Sequence, residues 1–266
     1  MRRLWAMLLR DLQTEASYPL ALLMQFAGIF FSVFIFYFLS QLVGDSVAIQ
    51  IQVGDGEYFP FVLVGVAFSG YFGLGLSRFA NALSTAQVTG TMEALLMTPT
   101  RLSTIIVGLA TYDYLFATLR VGVYLVLGLA LGVRFTDANW VAVGVSLVLA
   151  VISFASIGIM AAGFTMVFKR GNPIIWLVSN LIGLLGGVYY PVSTLPAWLQ
   201  PIARLLPITY ALNVMRGALL NGAKWDELMP NLLVLAAFCL LLFPISLGIF
   251  RAAVHKARID GSLAHY

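Results

Sequence analysis

Long apolar runs dominate the chain, broken by short stretches where charged residues, proline or glycine gather. Six runs, near residues 20–43, 58–80, 104–133, 140–168, 173–192 and 229–251, approach or exceed the roughly 20 apolar residues needed to cross about 30 Å of hydrocarbon. They are continuous rather than alternating. A spanning segment must satisfy its own backbone, so such runs are helices, whereas barrel strands would be short and alternating. The pattern predicts an all-α integral membrane protein with six transmembrane helices in one domain over residues 1–266.

Three segments depart from an up-and-down bundle. Between residues 3 and 15, Leu4, Met7, Leu8 and Leu12 recur at helical spacing beside Arg3, Arg10, Asp11 and Glu15. That predicts an amphipathic helix in the interface over residues 1–18. Between the second and third runs, Thr91 to Met97 favours helix and is bounded by Gly90 and Pro99, which predicts a short helix parallel to the membrane. The third segment has four prolines (Pro191, Pro196, Pro201, Pro207) within 17 residues, then a helical stretch too short to span. It predicts a re-entrant or surface-lying helical hairpin over residues 193–224 on the outer side.

Composition removes other classes. The chain is 61% hydrophobic and 10% charged with a mean hydropathy of +0.96, against about 25% charged residues in soluble domains. Disordered, collagen-like and nucleic-acid scaffolds need polar or repetitive sequence that is missing here. The formal charge of +4 is therefore assigned to basic cytoplasmic loops rather than to a polyanion, and nucleic acid is not an expected partner. With both termini inside, the inner segments hold ten basic residues: Arg2, Arg3, Arg10, Arg78, Arg101, Lys169, Arg170, Arg251, Lys256 and Arg258. The outer ones hold Arg134, Arg204, Arg216 and Lys224, and the first outer loop carries Asp45, Asp55 and Glu57 without a basic residue. Cys239 has no partner for a disulfide or thiolate cluster. The N-terminus lacks the apolar core and cleavage site of a signal peptide and is expected to remain on the mature protein.

Enzymatic groups are sparse. His255 and His265 lie beyond the last run, no H-E-x-x-H spacing occurs, and a serine protease of the membrane would need a histidine within the spans. The Gly-Lys step of a phosphate-binding loop is missing, since Lys169, Lys224 and Lys256 follow Phe168, Ala223 and His255. No catalytic, cofactor-binding or metal-ligating residue is expected, and ATP, if used, is hydrolysed by another chain. Charge within the runs is limited to Asp113 and Arg120, with Arg78 near an inner end. Asp113 and Arg120 are two turns apart, about 10 Å along the axis. Either they form a functional pair in a translocation path, or Arg120 snorkels and Asp113 sits at the interface. Phe26, Phe30, Phe34 and Phe38 repeat every four residues, with Phe31 beside them. This stripe either lines a path for an amphipathic or sugar-bearing substrate or faces lipid. The pairs Gly128/Gly132 and Gly183/Gly187 have G-x-x-x-G spacing, which permits close helix contact. A stand-alone carrier or channel is a competing class, though a proton-coupled carrier would show acidic residues on several spans.

Two motifs carry a family resemblance. The segment Gly90-Thr91-Met92-Glu93-Ala94-Leu95-Leu96-Met97-Thr98-Pro99 resembles the G-T-x-E-x-L-L-x-T-P stretch of type-2 ABC transporter permeases. Tyr190-Pro191 through Leu195-Pro196, Trp198-Leu199, Pro207-Ile208-Thr209-Tyr210 and Arg216-Gly217 resemble the outer segment of that family. The likeness covers nearly the whole chain and is similar to the daunorubicin-resistance-like and nodulation-sugar-export-like permeases. It implies the membrane half of an ATP-driven exporter, a permease homodimer with two separate ATPase subunits that bind the ATP and magnesium, in a bacterial or archaeal cytoplasmic membrane and in contact with membrane lipid. Residues Gly90 to Pro99, through Thr91, Met92, Glu93, Leu95, Leu96 and Thr98, would then be a coupling helix docking on the ATPase, with Arg3 and Arg10 of the interfacial helix as further contacts. Pro191, Pro196, Pro207, Tyr210 and Arg216 would belong to an outer gate. The implied substrate is a hydrophobic drug-like or lipid-like molecule, or alternatively a lipid-linked polysaccharide or oligosaccharide.

Overall fold

The computed structural model describes residues 17–50, 57–88, 102–135, 137–168 and 173–259. The predicted interfacial helix and the short helix at Thr91 to Met97 lie outside the described residues, apart from Ser17 and Tyr18. The helices are α1 (Pro19–Gln50), α2 (Tyr58–Val88), α3 (Leu102–Ala130), α4 (Trp140–Phe168), α5 (Pro173–Leu185), α6 (Gln200–Arg204), α7 (Pro207–Leu220) and α8 (Trp225–Ile259). A 3-10 turn, Val192–Thr194, lies between α5 and α6. There is no strand among the described residues, and α1, α2, α3, α4 and α8 each contain a stretch long and apolar enough to cross a membrane.

Boundaries differ from the expected ones where turn chemistry overrides hydropathy. α1 runs on to Gln50 through a stretch expected to be loop, and α2 runs to Val88. α3 stops at Ala130, because Gly132 adopts φ +99° while Val133 N–H donates to Gly128 O at 2.9 Å and Gly132 N–H to Leu129 O at 3.2 Å. This paired closure satisfies the last carbonyls and needs a left-handed residue, which glycine supplies. The fifth run is the largest departure: α5 has 13 residues and ends at Leu185 rather than near 192. It is about 20 Å long, and the chain turns at Gly187, which has φ +76°.

Side-chain contacts fix the helix directions. Tyr37 meets Phe59 edge-on at 5.3 Å, Leu63 presses on Gly128, and the Tyr71 hydroxyl donates to Thr118 Oγ1. α2 is therefore antiparallel to both α1 and α3. Asn139 N–H donates to Ala218 O at 2.8 Å and Ser146 Oγ to Ala211 O at 3.3 Å, so α7 runs antiparallel to α4. α2 and α8 run parallel to α4. Near the starts of α2, α4 and α8, α7 contacts Phe61, Asn139 and Leu228, while farther along Gly75 meets Phe154 and Gly163 faces Phe250 and Ala253. The start of α4 is called the cap end. Residue 168 closes α4 at the far end, yet Val188 lies at the cap end against Gly65 and Arg216.

α2 is the central helix: 61% of its apolar span is buried against protein, but only 11% of that of α1. Phe72, Leu76, Phe154, Ile208, Leu212, Met215, Leu219 and Leu235, from α2, α4, α7 and α8, are the largest fully enclosed side chains. Of the hairpin alternatives, α7 does not lie on the surface. Ten of its residues are buried, among them Pro207, Ile208 and Arg216, and it packs on α4, α8 and α2. The glycine pairs do not form helix-pairing stripes. Gly128 seats Leu63, Gly132 and Gly187 lie past helix ends, and Gly183 meets nothing within 4 Å among the described residues.

The close glycine contact is instead between α2 and α4. A Cβ on Gly158 would stand 2.5 Å from Gly75 O and 2.6 Å from Leu76 O, both backbone atoms. G158A is therefore expected to destabilise the purified protein by about 1–3 kcal/mol. G144A, on the same helix with nothing within 4 Å among the described residues, should be neutral or raise stability by up to about 1 kcal/mol. Thermal unfolding of the two variants in one mild detergent, read by loss of the monodisperse peak, compares them.

Candidate translocation site

Arg216 organises the cap end. It lies on α7, is 8% exposed, and donates from Nε to Phe61 O at 3.1 Å and from Nη2 to Val188 O at 3.0 Å. The guanidinium carbon sits 3.4 Å from the centroid of the Phe61 ring. Removing a guanidinium from water is expensive, and here two charge-assisted hydrogen bonds and an aromatic face offset it. Space for the head comes from Gly65, where a Cβ would lie 2.6 Å from Nη2 and 2.2 Å from Val188 O. One side chain thus ties α2, α7 and the chain after α5 together.

The other predicted gate residues shape the cap backbone. Pro191 precedes the 3-10 turn, Pro196 O accepts from Leu199 N–H at 2.8 Å, and Pro207 starts α7, where a missing N–H costs nothing. Tyr210 donates to Arg204 O at 3.0 Å and its ring lies 5.9 Å from that of Phe238 on α8. Thr209 Oγ1 donates to Ala203 O at 2.9 Å, fixing α7 to α6. Beside Arg216 opens a pocket of about 690 Å³, lined by Glu57, Arg134, Asn213 and Asn221 as well. Tyr189 stacks on Phe36 of α1 at 5.7 Å, linking the cap to the first span.

The phenylalanine stripe does not share one environment. Phe26 packs on Phe116 of α3 at 6.2 Å, whereas Phe34 and Phe38 are exposed and stack on each other at 6.3 Å. A four-residue step overshoots one turn by about 40°, so the stripe drifts from the α3 contact at Phe26 to the outer surface at Phe38. Phe30 lines a groove of about 720 Å³ between α1 and α3, with Leu115, Phe116, Leu119 and Val126. Phe31 is also exposed.

Arg120 and Asp113 both lie on α3, Asp113 half-buried and Arg120 exposed. Arg120 donates from Nη2 to Gln25 Oε1 of α1, and its guanidinium carbon lies 4.9 Å from the Phe116 ring centroid. It opens on a cleft of about 450 Å³ between α1, α2 and α3 that includes Gly28, Ser69, Gly70, Tyr71 and Gly73. Gln25 and Gly65 were not expected from sequence. Gln25 had a usable signal, an amide early in an otherwise apolar run, which marks a polar contact within the membrane. Gly65 had none. The coupling segment Gly90 to Pro99, with Arg3 and Arg10, lies outside the described residues.

The model of the ABC-2 type transporter family matches residues 2–220. The chain belongs to this family. It is therefore a multi-pass transmembrane subunit of an ABC transporter, a membrane component rather than the ATPase. The inner membrane transport permease YadH of Escherichia coli K12 is 24% identical over 210 residues, covering 79% of this chain and 80% of the relative. A second relative, "Probable doxorubicin resistance ABC transporter permease protein DrrC" of Mycobacterium tuberculosis, is 25% identical over 134 residues, 48% of this chain and 47% of the relative. In this ABC-2 permease, Arg216 falls inside the matched region.

R216M keeps the side-chain length but removes both donors, and is expected to lower stability by about 1–3 kcal/mol through the two carbonyls it leaves. G65A should act on the same contact, so the double variant should cost less than the sum of the singles. A double-mutant cycle on thermal unfolding measures the coupling.

Proposed function

We propose that this chain is the permease half of an ATP-driven exporter, working as a homodimer with two separate ATPase subunits in a bacterial or archaeal cytoplasmic membrane. The observation that carries the reading is the family match, which runs from residue 2 to the end of α7. Six crossings with both termini cytoplasmic fit the connectivity. α4 and α8 run parallel, and the chain leaves α4 at the far end yet has returned to the cap end by Val188. In this reading the segment containing α5 makes the fifth crossing, and the cap over residues 193–224 is a re-entrant outer hairpin.

ATP and magnesium stay on the partner, and this chain does no covalent chemistry. The segment Gly90 to Pro99 docks on the ATPase, Met92, Leu95, Leu96 and Met97 forming an apolar ridge and Glu93 pairing with a basic residue. Arg3 and Arg10 ride on the same surface. Closure of the ATPase subunits shifts the two docking helices and switches the permease interface between inward-facing and outward-facing states, a population shift driven by differential binding. The path is the cleft and groove between α1, α2 and α3, and the cap gated by Arg216 closes it. The substrate class is a hydrophobic drug-like or lipid-like molecule, to which the name of the DrrC relative lends support.

Affinity purification of the tagged permease from its native membrane tests the reading. The expected result is a soluble ATPase in equal proportion and the mass of a two-plus-two assembly. The permease alone, moving solute in liposomes without ATP, would overturn it. The double variant Glu93→Arg with Leu96→Asp should insert normally yet lose the ATPase. Unchanged co-purification would remove the docking assignment.

A further inference from the structure

Arg120 is placed where a cation is hardest to keep. It lies ten residues before the end of α3 at Ala130, about 15 Å along the axis and so near the middle of a 30 Å hydrocarbon layer. A guanidinium at that depth is costly and faces a bundle interior or a polar cavity rather than lipid. Its contacts among the described residues are the Gln25 amide oxygen and the Phe116 ring, both neutral. Five N–H donors are available on the fork, so much of its hydrogen-bonding capacity is left for something else.

The surroundings indicate what that is. Among the described residues lining the 450 Å³ cleft, Arg120 is the one charged group. The floor is open, since Gly28, Gly70 and Gly73 have no atom of a described residue within 4 Å of a Cβ position. Phe116, under the guanidinium, also lines the 720 Å³ groove, whose wall of Phe30, Leu115, Leu119 and Val126 is apolar. A fixed cation and an oily groove thus meet across one ring. Arg forks match the paired oxygens of phosphate and carboxylate, and an alkyl or aryl body fits the groove.

Resting on the permease reading above, we propose that Arg120, with Gln25 positioning it, receives the anionic group of an amphiphilic substrate whose apolar tail lies in the α1–α3 groove. The site selects anionic over cationic amphiphiles of equal chain length.

Binding is measured on the permease alone, in phosphatidylcholine nanodiscs without nucleotide, so the result does not depend on whether an ATPase associates. The probe is radiolabelled dodecyl phosphate, with dodecyltrimethylammonium and dodecyl maltoside as chain-matched competitors. Dodecyl phosphate should bind saturably, R120Q should weaken it by at least about tenfold, the loss of one charged hydrogen-bonding partner, and R120K, which keeps the charge but not the fork, should fall between the two. L119W, which fills the groove and leaves the cation, should weaken the phosphate probe as well. That variant keeps the test decisive if R120Q does not give a monodisperse protein. Equal competition by all three amphiphiles, or unchanged binding to R120Q, would overturn the proposal. Competition by inorganic phosphate as strong as by unlabelled dodecyl phosphate would assign the site to the free ion and overturn the amphiphile. A variant that binds normally but no longer forms dimers would reassign Arg120 to a contact between copies.

Discussion

The cap end depends on one guanidinium. Arg216 is buried and draws carbonyls from two remote stretches, Phe61 in the first turn of α2 and Val188 after α5, onto a third element, α7. Neither carbonyl comes from a side chain that could rotate away, so the clamp fixes backbone to backbone. Burial limits the access of water to these donors, and an abandoned charge would be left in the protein interior. The position of α7 follows from that constraint, and with it the pocket shared with Glu57, Arg134 and Asn213.

Away from the clamp, apolar burial does little, because lipid solvates a leucine as well as a neighbouring helix does. Association rests on close packing and scattered hydrogen bonds. Gly75 and Gly158 let α2 and α4 approach until a single added carbon would meet backbone, and Phe72 fills against Phe154 at 5.1 Å alongside. α1 and α3 lack such a contact. They meet α2 through Tyr37, Tyr71, Thr118 and the seat of Leu63 on Gly128, leaving grooves between them. The tight part of the molecule is thus α2, α4, α7 and α8, and the α1–α3 groove and the cleft between α1, α2 and α3 lie on the side that is packed loosely.

The helical class and the places of the long spans were legible because hydropathy alone decides them. The shortness of α5 was not, since Gly186 and Gly187 end it within a run that stays apolar by composition. G-x-x-x-G spacing was only a partial guide for a related reason: Gly128 seats Leu63 of α2, but Gly132 and Gly187 serve turns, and Gly75 and Gly158, which bring α2 and α4 together, sit on different helices and make no spacing. The stripe from Phe26 to Phe38 was read as one face because four residues nearly complete a turn, and the accumulated drift separates its two ends. Arg216 was visible as part of an outer motif, but its two acceptors are main-chain carbonyls 155 and 28 residues away, and no side-chain pattern encodes them.

The direction of α7 has an electrostatic meaning. α4 and α8 run side by side in the same sense, so their peptide dipoles are aligned and repel in a medium that screens poorly. α7 packs on both of them and runs antiparallel to α4, with no acidic side chain in its first turn and no basic one in its last. Its own peptide groups act as the counter-dipole. A helix of 14 residues, shorter than a crossing, thereby offsets part of the field of two longer ones, beside the acidic first turn of α8 at Asp226 and Glu227.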